Sequence, residues 1–155
     1  MKKIILLFFG LCTLYSFSQR NDIAVFKITN YSVDGQNFDD VAIDDDLALI
    51  FYYCEDTEVK EDSPVCFTNL FRNSRIQSGG RVTGLIMNPF EGTEKHYAHD
   101  DFQFTWDYFN TFNNATGQAS VKISQIYTEE KVNMTAEIII LDTNEVLEFV
   151  GYLEE

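Results

Sequence analysis

Basic side chains are scarce in this sequence: 11 lysines and arginines stand against 25 aspartates and glutamates, with two histidines. Nucleic-acid binding rests on Lys and Arg neutralising phosphates, so this balance argues against it and against an anionic membrane surface. Beyond the first fourteen residues no apolar run approaches the length of a membrane helix. No stretch carries a sustained helical period either. There is no Gly-x-Ser-x-Gly elbow, no C-x-x-C pair and no complete nucleotide or metal signature. The chain therefore reads as a non-enzyme needing no cofactor, although among so many acids some carboxylate pair at glycosidase spacing stays open.

What is present begins with an export signal. Lys2 and Lys3 form a short positive region, an uncharged apolar run follows to Leu14, and Ser16 and Ser18 occupy the small-residue positions before Gln19. That order predicts a cleavable signal over 1–18 and a single domain over 19–155, soluble in the periplasm or outside the cell, with no membrane insertion after cleavage. Leu11 precedes Cys12, where a lipid-attachment site would carry a small residue, so no lipid anchor is expected. Cleavage would remove two of the 11 basic side chains and no acid, taking the formal net charge from −14 to −16. Such a charge suits a basic protein partner, a cation, or plain solubility.

Cys54 and Cys66 remain after cleavage, and in an oxidising compartment an even pair predicts a disulfide. Each adjoins a strand-like segment, LALIFYYC and CFTNLF, so the bridge is expected to staple a hairpin with Cys54 opposite Cys66.

Eight strand-like runs alternate with turn signals, over 23–31, 47–54, 65–72, 81–87, 102–112, 119–128, 131–141 and 146–153. Asp34-Gly35, Ser78-Gly79-Gly80, Asn88-Pro89 and Asn113-Asn114 with Gly117 read as turns. The last four runs are consistent with a meander turning at Glu129-Glu130 and Thr143-Asn144. Its inward rows would be Trp106–Ile123–Ala136–Gly151 and Tyr108–Val121–Ile138–Phe149. The expected fold is all-β, an eight-stranded antiparallel up-and-down barrel, with a two-sheet sandwich as the alternative.

The opening IAVFKITNYSVDGQ with LALIFYY after it, and the late FQFTWDYFNTFNNATGQASV, resemble lipocalin-like domains of small secreted proteins from Bacteroidetes-type bacteria. The resemblance covers most of residues 19–155 and implies a barrel that binds a small ligand or a partner. The Gly-x-Trp of the lipocalin first strand is missing, since the only tryptophan is Trp106, and no binding residue carries over.

Several residues invite a functional reading. Phe104, Trp106, Tyr108 and Phe149 share an inward face, most simply as core. In a barrel open at one end they would line a pocket for a small apolar molecule, with Gln125 and Asn110 as polar groups orienting it. Weak metal positions are His96 and His99, spaced H-x-x-H beside acids, and Asp44 and Asp46 in an acidic segment. A calcium-loop alignment through Asn30, Ser32 and Asp34 puts Val41 where a bidentate Glu is required. The rival to small-molecule binding is an acidic inhibitor or immunity-type factor that recognises a basic protein.

Overall fold

A computed structural model describes residues 21–54, 64–90, 92 and 98–154. The expected signal segment and His96 lie outside these residues.

The chain runs as strand β1 (Asp22–Val33), β2 (Gln36–Asn37), helix α1 (Asp39–Asp44), and then seven strands. These are β3 (Leu47–Tyr53), β4 (Val65–Phe71), β5 (Ile76–Phe90), β6 (His99–Asn110), β7 (Thr116–Tyr127), β8 (Val132–Ile140) and β9 (Val146–Leu153). Every neighbour is antiparallel in the order β1-β3-β4-β5-β6-β7-β8-β9, and β9 pairs back onto β1. The result is a closed eight-stranded up-and-down barrel, compatible with a lipocalin-like fold, and not a sandwich. Closure leaves the barrel body without a free edge.

Alternation explains the core. Phe26, Leu49, Phe67, Trp106, Val121, Ile138 and Phe149 point inward and are all but sealed from solvent, while Lys122, Glu137 and Glu148 point outward. Burying each large apolar side chain contributes about 1.5–3 kcal/mol. The aromatic rings interlock: Phe67 meets Trp106 edge-on at 5.1 Å and Phe104 at 5.4 Å, and Phe51 lies 4.9 Å from Phe67. The middle of the barrel is thus a solid plug. Strand β3 is buried on both faces, with Ala48 and Ile50 hidden although they face outward, which is why LALIF reads as a continuous apolar run.

Asp34 and Gly35 both take positive φ, 49° and 77°, and form the tight turn that the Asp-Gly pair predicts. The short helix α1, by contrast, left no period in the sequence. Asp39 anchors it by accepting hydrogen bonds from the Tyr31 amide (2.8 Å), Asn30 Nδ2 (3.0 Å) and Asn37 Nδ2 (2.7 Å). Those donors hold the Asp39 carboxyl below its usual range. Asn30, the first position of the calcium-loop alignment, is therefore bound to Asp39.

Register departs from expectation by even steps. Ile123 opposes Ala136 as anticipated, but Ala136 faces Phe149, not Gly151, and Trp106 faces Ala119, not Ile123. In the β3–β4 hairpin Cys66 faces Tyr52, so the Cys54–Cys66 disulfide (Cα–Cα 5.1 Å) runs diagonally across the outer face. An even slip keeps every side chain on its own face, so the hydrophobic pattern cannot detect it. Loop length decides instead. Four-residue loops lie between the closing pairs Phe71–Ile76, Asn110–Ala115 and Ile140–Glu145 of the β4–β5, β6–β7 and β8–β9 hairpins. Each ends on a residue in the left-handed region: Arg75 (φ 60°), Asn114 (58°) and Asn144 (58°).

Gly79, Gly80 and Gly117 lie inside strands and not in turns. A Cβ on Gly80 would sit 1.8 Å from the Asp107 carbonyl oxygen, and one on Gly117 would sit 2.6 Å from Tyr108 Oη. These glycines let a neighbouring strand or ring approach closely.

Candidate functional site

One end of the barrel carries the three four-residue loops and α1. Inward side chains near this end are too few to continue the plug, and a cavity of about 390 Å³ opens there. Its aromatic walls are Trp106 and Tyr108 from β6, Tyr31 from β1 and Phe71 from β4. Trp106 lies deepest and is fixed by its Nε1–H, which donates to the Phe67 carbonyl at 3.0 Å. Its ring is 5.2 Å from that of Tyr108. Tyr31 stacks on Phe149 at 5.0 Å and meets Phe71 edge-on at 6.3 Å.

Polar groups come from β4, β5, the end of β6 and the loops: Asn69, Ser78, Asn110, Asn113, Thr143 and Glu145. Much of this polarity is already committed. Asn69 Oδ1 accepts from the Ser78 amide (3.0 Å), Asn110 Nδ2 donates to Ser78 Oγ (2.8 Å), and Asn110 Oδ1 accepts from the Phe112 amide (2.9 Å). Glu145 stands exposed at the rim as the one charged residue among the described lining. Burial, and then the Glu145 carboxylate, push the Tyr31 hydroxyl above its ordinary pKa; burial, Asp142 and Glu145 do the same to Tyr108.

The six anticipated pocket residues are not all brought together. Trp106 and Tyr108 line this cavity, as does Asn110. Phe104 is core, packed on Phe51 and Phe67, and Phe149 is core behind Tyr31. Gln125 is buried toward the opposite end, where Tyr127 Oη lies 3.1 Å from its Oε1 and donates to Asp100 Oδ2 at 2.7 Å. Tyr31, Asn69, Phe71 and Ser78 were missed in the sequence because they sit on other strands, and Glu145 because it lies in the connection between β8 and β9. Inward parity on those strands was the available signal.

The metal positions are likewise scattered. Asp46 is bound by Lys27 and Arg72, each at 3.2 Å. His99 opens β6 at the far end, stacked on Phe90 at 4.5 Å and 3.7 Å from Asp101. The Asp44 carbonyl accepts from Asn73 Nδ2 at 2.7 Å. Among the described residues, no group of three or more His, Cys, Asp or Glu is placed to hold a metal ion.

A second concavity, of about 530 Å³, lies on the outer face of β6 to β9, where Asp101, Glu137 and Glu148 surround Lys122. Comparison with protein-family models, curated proteins and solved structures finds no match for this chain.

Proposed function

We propose that this chain is an exported, lipocalin-like binding protein that holds a small molecule at the loop-bearing end of its barrel and performs no catalysis on it. The observation that carries this reading is the cavity floored by Trp106 and walled by Tyr108, Tyr31 and Phe71. Aromatic walls with a few placed polar groups are the usual makeup of a small-molecule site. A wholly apolar ligand, the original expectation, fits less well than one with a polar end, because Asn69, Ser78 and Glu145 also face the space.

The apolar interior and charged exterior support a water-soluble protein; a membrane barrel has the reverse arrangement. The Cys54–Cys66 bridge suits an oxidising compartment and so supports export.

Native mass spectrometry of the purified protein tests the proposal. A co-purifying small molecule should be present, and Ala115→Trp, at the exposed mouth, should remove it without unfolding the barrel. A wild-type protein free of any such species, or a species retained in the variant, refutes the site.

The outer concavity favours a second reading, an acidic factor for a basic protein, since three carboxylates there meet one lysine. Reversing Glu137 and Glu148 to lysine separates the two, because small-molecule binding would survive that change.

A further inference from the structure

The charge at the mouth narrows the ligand. We infer that the cavity takes a small organic cation, a protonated amine carrying an apolar or aromatic body, held between Glu145 and the faces of Tyr31, Phe71, Trp106 and Tyr108. This rests on the binding reading above and adds to it the chemical class of the ligand.

Three observations converge. First, the one charged residue in the described lining is a carboxylate, so an anionic ligand would meet no opposite charge. Second, four aromatic side chains from three strands surround the space below it, and the negative faces of such rings attract ammonium groups. Third, Glu145 lies close enough to both tyrosines to bear on their hydroxyls, and it makes no side-chain hydrogen bond or ion pair of its own among the described residues. A carboxylate at the rim, two phenolic oxygens and the ring faces together supply acceptors and negative potential. The Asn69 and Asn113 amides and the Ser78, Thr143 and tyrosine hydroxyls can donate as well, but none of these donors carries a positive charge to attract an anion. An ammonium group would satisfy the acceptors, while its apolar portion would cover Trp106 and Phe71.

Phenethylammonium, phenethyl alcohol and hydrocinnamate share a body and differ in charge, which makes them suitable probes. The single tryptophan is Trp106, so intrinsic fluorescence reports from the floor of the cavity, and calorimetry gives the affinity. Phenethylammonium should bind about tenfold or more tighter than the alcohol, and hydrocinnamate not measurably, as a partly desolvated cation–π and ion-pair site requires. Glu145→Gln should remove most of the preference for the amine, and Glu145→Lys should turn it toward hydrocinnamate, both with an unchanged circular dichroism spectrum.

Equal binding of all three probes, or a preference untouched at Glu145, overturns the cation class and leaves the binding site standing. If no probe binds at millimolar concentration, the inference falls too. The mass-spectrometry result then decides the broader reading by itself, because a neutral or anionic co-purifying species would uphold the site and exclude the cation.

Discussion

Barrel closure depends on Gly151, and replacing it by alanine should be severe. A Cβ there would lie 2.1 Å from the Lys27 carbonyl oxygen and 3.0 Å from its carbon, both backbone atoms of β1. Relieving that contact requires β1 and β9 to part by about 1 Å where Ile28 faces Gly151, beside the irregularity between Ile28 and Asn30. Losing two ladder hydrogen bonds costs about 1 kcal/mol each, and the overpacking adds about 1–3 kcal/mol, for a total near 3–5 kcal/mol. Gly117→Ala is the matched control. The atom 2.6 Å from its Cβ is the end of the Tyr108 side chain, which can swing into the cavity, so the cost should stay below about 1 kcal/mol. Urea unfolding of the two variants beside wild type measures the difference. If Gly151→Ala unfolds within about 1 kcal/mol of wild type at unchanged slope, the closing seam is not as tight as described.

Other perturbations have definite expected outcomes. Removing the disulfide by Cys54→Ser with Cys66→Ser should lower stability by about 3 kcal/mol, from the loop that a sequence separation of 12 closes; thermal unfolding with and without reductant checks it. Arg75→Gly should raise stability by about 0.5–1 kcal/mol, because any residue with a Cβ is strained at φ 60°, and a lower midpoint would contradict this. Arg72 holds Glu154 with two hydrogen bonds, 2.9 and 2.7 Å, and Asp46 at 3.2 Å. Hydrogen bonds from Arg72 pull the Glu154 carboxyl below its ordinary 4.5. Burial pushes Asp46 up from 3.8, but Lys27 and Arg72 outweigh it and the net shift is downward. Both carboxyls bind protons more weakly folded than unfolded, so their contribution is complete above those ordinary values and fades as pH falls below them. For side chains that are partly exposed it amounts to about 1 kcal/mol, and Arg72→Met should flatten the stability–pH curve between pH 5 and about 3.

Much of the fold was legible because it is written in alternation. All eight barrel strands lie where the period of two placed them, and the β7–β8 register, with Ile123 against Ala136, was correct in detail. What failed in β5 and in the β6–β7 pairing has a common cause. Glycines signal turns only when nothing else explains them, and here Gly79, Gly80 and Gly117 answer to neighbours distant in sequence. Counting Gly117 into the β6–β7 turn moved the pairing by four residues. Ser78-Gly79-Gly80 hid the first third of β5 in the same way, and Asn88-Pro89, expected as a turn, lies inside β5 opposite Asp101 and Asp100. The cavity was half visible for a related reason: Trp106 and Tyr108 share a strand, whereas Tyr31, Phe71 and Glu145 join them only through closure of β9 onto β1. The Arg72–Glu154 pair, which spans β3 and β1, was equally out of reach.

The three matching loops at the mouth have a consequence for how such a molecule can change. Each four-residue connection fixes its backbone through one left-handed residue at its end. After β6 and β8 the three residues before it are exposed. Asn113 and Thr143 occupy such exposed positions beside the cavity. The scaffold thus separates the part that must fold from the part that discriminates, much as antibody loops vary on a constant frame. New selectivity could be installed by exchanging loop letters alone, and a library confined to 112–113 and 141–143 would leave the Arg72 ion pairs and the Thr111 contacts to Gln77 intact.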